Sequence, residues 1–406
     1  MSRSKRMTFG WFDYAAFIIF AAYASGSVVI PVALVQLSND LGFSLAEGGL
    51  SAGGALHLGR TLPMILAMVL SGFVAGRWGL RRTLGYSVLL MVTGLAICAF
   101  APFYGVLFIA LMVAGAGEGV IEGVATPFVE RLHKGESGRY INFTHSFWSV
   151  GIVVTVLGAG WLLSLGVSWR WITLTVAVMA LIPALMLLRP FKNIQIYPEH
   201  PEPLHWKIVH DQLMEIVRIP RFWLFFAAMI LAGGGEFCLT FWSASYIQLS
   251  FTPEPWAGGV GTACFAGGMV LGRTGWGYFI KQHQLNRLIF FSAIGGTIVT
   301  LFFPILSNLW VFFVLLFVSG IATAPFWPSI QSYTTDRFPH VDTTMLFILL
   351  SCAGIPGCGF FTWLMGYIGN QTGGLSVAFY IVPACYILIA IIIGGDWLHE
   401  RRRQIE

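Results

Sequence analysis

Apolar residues fill almost the whole chain in runs of roughly 20 to 30 residues, separated by short polar segments. Each run is long enough to cross a hydrocarbon core about 30 Å thick as an α-helix. The pattern predicts an all-α polytopic membrane protein with twelve transmembrane helices in two six-helix bundles. We number the predicted spans 1 to 12, at residues 11–37, 46–76, 83–101, 103–131, 140–165, 169–189, 222–249, 256–281, 286–306, 308–336, 343–369 and 374–397.

The longest polar segment divides these spans into two equal groups. The predicted domains are therefore an N-terminal bundle at 1–189, a cytoplasmic central loop at 190–220 and a C-terminal bundle at 221–406. Within the loop, "WKIVHDQLMEIV" has apolar residues at helical spacing. This spacing predicts an amphipathic helix that lies on the membrane surface.

The two halves repeat short motifs, which is typical of transporters that bind their solute between internal repeats. "GVATPFVERL" in span 4 and "IATAPFWPSI" in span 10 place Pro127 and Pro325 at similar positions, where a proline is expected to kink the helix. "LGRT" occurs in span 2 and again in span 8. Because its arginines, Arg60 and Arg273, lie at different depths in their spans, we expect them to differ in role.

Composition and charge placement agree with this topology. Only 10% of the residues are charged, against about 25% in a typical soluble domain. Lys and Arg concentrate in the loops that share a side with the N-terminus, and positively charged loops face the cytoplasm. This predicts a multi-pass protein of the cell (inner) membrane with both termini cytoplasmic. The net charge of +5 follows from that topology, so we expect no nucleic-acid binding.

The sequence offers little for metal or cofactor chemistry. All six cysteines fall within predicted spans and lack metal-ligand spacing. The chain has no phosphate-binding loop, so ATP is not the expected energy source, and it has no H-E-x-x-H or G-x-S-x-G motif. We expect no metal, no cofactor and no enzymatic activity.

Ionisable residues inside membrane helices are rare and usually functional, because burying a charge there costs free energy. If all of those in the spans were charged, four negative charges would face two positive ones. The imbalance disappears when one or two carboxylates bind protons. Glu118 and Glu122 lie one turn apart near the middle of span 4, so both are candidate proton-coupling residues, with a structural pair to Arg60 as the alternative for Glu118. The ionisable residues are Asp13, Arg60, Glu118, Glu122, Glu236 and Arg273.

Several motifs resemble those of a known family. The turn "GFVAGRWGLRR" is similar to the G-x-x-x-D-R-x-G-R-R signature of the major facilitator superfamily, with Gly76 and Leu80 in place of Asp and of a basic residue. Four further stretches resemble motifs of its L-fucose/proton symporter branch: "VIEGVATPFVERL", "INFTHSFWSVG", "EFCLTFWSASYI" and "APFWPS". The resemblance implies that fold, places Glu122 on the membrane glutamate of the branch, and implies gating roles for Arg77 and Arg81 in the turn.

The resemblance also implies a sugar-like solute, with departures in the solute site. Trp148 and Thr126 stand where the branch has asparagines, and "GSVVIPVALVQ" in span 1 lacks its intramembrane Asp. Since sugar recognition depends on such hydrogen-bonding groups, these changes argue against fucose itself. Trp148 and Thr126 are still expected to line the solute site.

Five further residues are candidate solute ligands, each with a structural alternative. The guanidinium fork of Arg60 can bind a carboxylate of the solute or of the protein. Glu236 follows three glycines that predict a break in span 7, and it either binds solute or pairs between the halves. Trp242 can stack on a solute or pack against neighbouring helices. His57 and His145 can titrate near neutral pH or serve as packing residues.

Two further features of the spans concern contacts between helices. Arg273 lies closer to the cytoplasmic end of its span than Arg60 does and is expected to make a gate contact. Gly115, Gly119 and Gly123 form a ridge of small residues on span 4. Such a ridge predicts close approach of another helix.

These observations predict a secondary active transporter that carries a small polar solute by proton-coupled symport and alternating access. The two intramembrane arginines favour an alternative, symport or exchange of a small organic anion. A non-transporting membrane sensor is a further alternative, although the sequence contains no soluble signalling domain. The expected partners are the solute, protons and the lipid bilayer, and we expect a monomer with no obligatory protein partner.

Overall fold

The structure, a computed structural model, describes residues 7–133, 137–189, 196–198 and 206–403, without the side chains of residues 137–139, 142, 277, 278, 344 and 403. The N-terminal "MSRSKR" and much of the predicted central loop therefore lie outside the described residues. Within the described ranges the chain forms sixteen α-helices. They are α1 (Trp11–Val32), α2 (Leu34–Asp40), α3 (Leu50–Trp78), α4 (Leu80–Ala99), α5 (Tyr104–Leu132), α6 (Ser137–Ser164), α7 (Trp169–Leu188), α8 (Trp206–Val217), α9 (Phe222–Ser250), α10 (Pro255–Phe279), α11 (Leu285–Leu301), α12 (Leu309–Thr323), α13 (Phe326–Arg337), α14 (Thr343–Thr372), α15 (Leu375–Ala378) and α16 (Ile381–Arg403).

The helices confirm an all-α polytopic membrane protein. Eleven helical segments of the described chain are long and apolar enough to cross a membrane, and α10, with 25 residues, has the length of a twelfth span. Short connections join successive spans, so neighbours in sequence run in opposite directions. We call the side of the membrane on which Trp11 begins α1 the near side, and the other the far side.

Proline explains two interruptions within spans. Pro31 lies near the end of α1, and the chain leaves the helix at Ala33 before α2 begins. Pro325 separates α12 from α13, whereas α5 continues through Pro127. A proline lacks the N–H group that the helix ladder requires, and whether the helix then ends depends on the surrounding packing.

The predicted break in span 7 is wrong, because α9 is continuous through "GGGEF". A side chain at any of the three glycines would overlap a neighbouring helix: Gly233 faces the backbone of α14 at Gly354, Gly234 faces Phe361, and Gly235 faces Tyr386 of α16. The glycines therefore allow α14 and α16 to pack closely against α9.

Helices α1 to α7 form the first half of the chain and α9 to α16 the second. In the first half α3 and α4 pack against α5, and α1 packs against α6 and α7. In the second half α9 packs against α14 and α16, and α10 against α12. Between the halves, α3 meets α14, α6 meets α10 and α1 meets α9, so these helices border the boundary between the halves.

The hydrogen bonds described between the halves lie at the far side. Gln36 donates to the Gln248 side chain at 2.7 Å. Asn370 accepts from the N–H of Leu50 at 3.0 Å and donates to the Gly48 carbonyl at 2.7 Å and to Ser51 at 2.9 Å. At a third place the Trp256 N–H donates to Ser164 at 2.9 Å. These contacts close the cleft between the halves at the far side.

Candidate functional site

A buried ion pair joins α3 and α5. The Arg60 Nε donates to Glu118 Oε2 at 2.7 Å, and a second guanidinium nitrogen bonds the other carboxylate oxygen. The remaining nitrogen reaches the Ser27 carbonyl at 3.4 Å. With only 4% and 1% of the two side chains exposed, the pair is held inside the first half. This is the internal partnership that the sequence allowed for Arg60 and Glu118.

Close helix approach makes this pair possible. Gly115 and Gly119 face the backbone carbonyls of Arg60 and Met64, and Gly123 faces Ser71. A Cβ atom at Gly115 or Gly119 would overlap α3, so the predicted packing role of the glycine ridge is confirmed.

Glu122 lies one turn beyond Glu118 on the same face of α5 but has a different partner. The Tyr23 hydroxyl of α1 lies beside this carboxylate, close enough to interact with it. Among the residues that the structure describes, no Lys, Arg or His forms an ion pair with Glu122. It is a half-buried carboxylate beside a neutral hydroxyl.

A second ion pair lies in the other half of the protein. Arg273 of α10 donates to Glu236 of α9 at 3.3 Å, and 32% of the arginine side chain is exposed. Its Cζ also lies 5.9 Å from the ring centroid of Trp148 on α6, so this arginine contacts both halves. The Nε atom of Arg273 is buried and forms no hydrogen bond within the described part of the chain.

Polar and aromatic side chains of the first half continue this site. Thr126, one further turn along α5 from Glu122, forms a 3.0 Å hydrogen bond with Nε2 of His145 on α6. The His145 ring packs 4.4 Å from that of Phe20, and the residue lies close enough to Arg273 to interact with its charge. We use the name central cluster for Glu122, Thr126, His145, Trp148, Glu236 and Arg273.

Four other predicted site residues lie outside the central cluster. His57 is buried between the α9 rings of Phe237 and Phe241, at 5.2 and 5.3 Å, and its Nε2 has no partner among the described residues. The predicted solute ligand Trp242 is fully buried and donates to the Thr362 carbonyl at 2.9 Å. Of the two predicted gating residues at the near side, Arg77 is exposed, and Arg81 donates to the Leu187 carbonyl.

Sequence reasoning missed Tyr23, which lies beside Glu122, and the buried acid Asp396. Tyr23 carries no sequence signal, because a tyrosine in an apolar run is as common in packing as in hydrogen bonding. Asp396 is buried at the near end of α16, where it accepts from Tyr333 at 2.5 Å and Arg221 at 2.7 Å. The charged sequence around Asp396 hid its burial.

Comparison with known proteins identifies the family. The model of the Major Facilitator Superfamily matches residues 15–281 and 256–406, and the chain belongs to this superfamily of membrane transporters. An uncharacterized MFS-type transporter of Yersinia pestis is 28% identical over 231 residues, or 54% of each chain. The chain thus spans about half the length of the curated relatives that it matches.

Solved structures share the fold at low sequence identity. The Escherichia coli fucose:proton symporter FucP is similar with a TM-score of 0.64 and 17% identity, over 94% of this chain and 98% of that one. A D-xylose-proton symporter is similar with a TM-score of 0.73 and 14% identity, over 94% and 96% of the two chains. At these identities the similarities show a shared fold.

Proposed function

We propose that this transporter carries a small polar, sugar-like solute together with protons, and that Glu122 is the proton carrier. The observation that supports this most is the distribution of charge at mid-depth. Arg60 neutralises Glu118 and Arg273 neutralises Glu236, while Glu122 has only the Tyr23 hydroxyl. A carboxylate without a cation is the one that gains most from binding a proton in a low-dielectric site.

The position of Glu122 links protonation to solute binding. Glu122 and Thr126 lie one turn apart on α5, and Thr126 is bonded to His145. A proton on Glu122 removes a charge next to the place where Thr126, His145 and Trp148 offer hydrogen bonds and a ring face to a solute. The proton and the solute then favour the same conformation of the two halves, which is the requirement for coupling.

The fold supports alternating access between two six-helix bundles, residues 1–189 and 221–406. Hydrogen bonds close the cleft at the far side. If the Lys and Arg distribution sets the orientation, the near side is cytoplasmic and the closed far side faces outward. In that orientation the structure represents the state from which solute is released into the cell.

The solute class is supported by the chemistry of the central cluster. Besides the Glu236–Arg273 ion pair, it offers a hydroxyl, an imidazole, an indole ring and the Glu122 carboxylate, which suit a neutral ring with several hydroxyl groups. The names of two structural neighbours, a fucose:proton and a D-xylose-proton symporter, agree with that class.

A small organic anion is the second candidate, and one observation favours it. Arg273 is one-third exposed and has a single 3.3 Å bond to Glu236, and its Nε has no partner in the described chain. A guanidinium in that state retains donors for a solute carboxylate. The two candidate solutes predict different effects of Arg273→Lys on transport. Transport should weaken strongly only if the solute binds to the guanidinium fork.

Transport by protein reconstituted in liposomes tests the proposal. For wild type, we expect an imposed pH gradient to drive solute accumulation and solute flow to carry protons. Glu122→Gln should lose accumulation but keep exchange of labelled for unlabelled solute, because exchange needs no net proton movement. Glu47→Gln, an exposed acid on a far-side loop, is the matched control and should behave as wild type. Proton-driven accumulation by Glu122→Gln at the wild-type level would overturn the assignment.

A further inference from the structure

We propose that the second half holds an anionic phospholipid in a groove on its outer surface, between α10 and α11 with α12 as its floor. The groove has a volume of about 530 Å³. Trp276 contributes to one wall, Phe291 and Val299 to the other, and Val318 and Ile321 to the floor. This lining is mostly apolar, and its two long polar side chains, Gln284 and Arg287, lie together at the near-side end.

The dimensions of the groove fit one acyl chain. Arg287 and Val299 are twelve residues apart on α11, a rise of about 18 Å. One leaflet of a 30 Å hydrocarbon core is about 15 Å deep, so an acyl chain that starts at Arg287 ends near Val299. At Gly295, between these two residues, an added Cβ would meet no atom within 4 Å, so the groove is open there.

The fixed shape of the groove depends on contacts between its walls and floor. The Trp276 indole N–H donates to the Ile321 carbonyl at 3.2 Å, which ties α10 to α12. Phe291 is 63% exposed on the outer surface of α11. A large aromatic side chain facing the bilayer beside a preformed apolar groove is suited to pack against a lipid chain.

Charge at the near-side end identifies the headgroup as anionic. The Arg287 Cζ lies 5.7 Å from the ring centroid of Trp397 on α16, and the Arg401 Cζ lies 5.0 Å from the same centroid. Both guanidinium groups lie near one indole ring, and an anion bound between them would reduce their mutual repulsion. Neither forms an ion pair with a carboxylate in the described part of the chain. A phosphate diester can accept hydrogen bonds from both.

The acidic residues of α16 do not neutralise Arg287 and Arg401, because these acids lie on another face of the helix. Asp396 and Glu400, one turn apart, bind Arg221 at 2.6 Å each. Trp397 and Arg401, also one turn apart, occupy the neighbouring face, which is turned toward α11. The end of α16 thus separates an internal ion-pair network from an outward cationic surface.

Lipid binding to the full-length protein in neutral detergent tests the proposal. The probes are phosphatidylglycerol and phosphatidylcholine with identical acyl chains, and the readouts are bound lipid by native mass spectrometry and the shift in Tm. Wild type should bind phosphatidylglycerol more tightly and gain more in Tm from it. Arg287→Gln should lose about fivefold in phosphatidylglycerol affinity, the effect typical of one basic residue at a membrane surface, with little change for phosphatidylcholine. Arg287→Gln with Arg401→Gln should lose the headgroup preference.

Filling the groove tests the acyl chain separately. Gly295→Leu should reduce binding of both lipids, since the new side chain occupies the open position. Two matched controls should leave binding unchanged. Arg82→Gln alters an exposed arginine that is likewise the third residue of its helix, and Gly158→Leu alters another spanning glycine with open space around it.

Three results would overturn the proposal. The first is an equal phosphatidylglycerol preference in Arg287→Gln and Arg82→Gln. The second is a loss of both lipids in Gly295→Leu without any headgroup preference in wild type, which would indicate unspecific packing of any lipid. The third is dimerisation through this surface, which would make a second copy of the chain the occupant. None of these results depends on Glu122 or on transport, so failure here leaves the proposed function untouched.

Discussion

Glu118 and Glu122 show how one turn of helix separates two carboxylates into different roles. Both lie on the same face of α5 at mid-depth. Glu118 meets the Arg60 guanidinium in a fully buried pair, while Glu122 meets the Tyr23 hydroxyl. The sequence identified both acids and left their roles open, because the partner of each depends on how α1 and α3 pack against α5.

The two "LGRT" arginines should differ in what they contribute to stability. Arg60→Met leaves Glu118 as an unpaired buried charge and should lower the free energy of unfolding by about 3–5 kcal/mol. Arg273→Met should cost less, about 1–3 kcal/mol: it also leaves a buried carboxylate, Glu236, without its cation, but the pair has one bond of 3.3 Å and the arginine side chain is 32% exposed. Reversible denaturation in detergent micelles measures both values.

The matched control for the arginine series is Arg82→Met, at an exposed position, with a loss near zero. The double variant Arg60→Met with Glu118→Leu should recover most of the loss, since no unpaired charge remains. Equal losses for Arg60→Met and Arg273→Met would contradict the difference in burial on which the comparison rests.

At the scale of helices, hydrophobic run length predicted nearly all of the fold. The run at 103–131 corresponds to α5 at Tyr104–Leu132, and the run at 222–249 corresponds to α9 at Phe222–Ser250. Run length works because a helix must cover the hydrocarbon core whatever its neighbours are. The predicted helix break at "GGGEF" was wrong because glycine favours both helix breaks and close helix packing. Only the positions of α14 and α16 decide between these two outcomes.

The glycine ridge of α5 makes a testable contribution to helix packing. In Gly119→Ala the new methyl group would overlap the Met64 carbonyl of α3, so we expect a loss of about 1–3 kcal/mol in the free energy of unfolding. Gly158→Ala is the control on α6, where nothing lies within 4 Å of the new Cβ. Alanine there should be neutral or stabilising by up to about 1 kcal/mol. Equal effects of the two substitutions would show that the ridge does not set the distance between α3 and α5.

At the scale of the whole molecule, the central cluster exists only because the two halves meet. Thr126, His145 and Trp148 come from the first half, and Glu236 and Arg273 from the second. The sequence predicted each of these residues as a site residue from the motifs of its own span. It could not show that Trp242 and His57 pack away from the cluster, because the direction of a side chain around its helix depends on the neighbouring helices.

The contacts that close the far side should set the balance between the two conformations of the transporter. Asn370 makes three hydrogen bonds to the first half through Gly48, Leu50 and Ser51. Asn370→Ala removes them and should weaken the closed state by about 2 kcal/mol, or roughly 30-fold in the equilibrium between closed and open far sides. The fold itself should remain intact, because each half keeps its internal packing.

Spin labels on both halves measure this shift. Glu47→Cys and Glu254→Cys place labels at exposed far-side positions of the first and second half, and the six native cysteines are buried or half-buried. With Asn370→Ala we expect a larger population of long distances between the labels. The control is Asn308→Ala, which removes the cap of α12 at the same side but no bond between the halves. The same distance distribution in Asn370→Ala and Asn308→Ala would contradict this prediction. The Asn370 hydrogen bonds would then not set the equilibrium, and another contact would hold the far side closed.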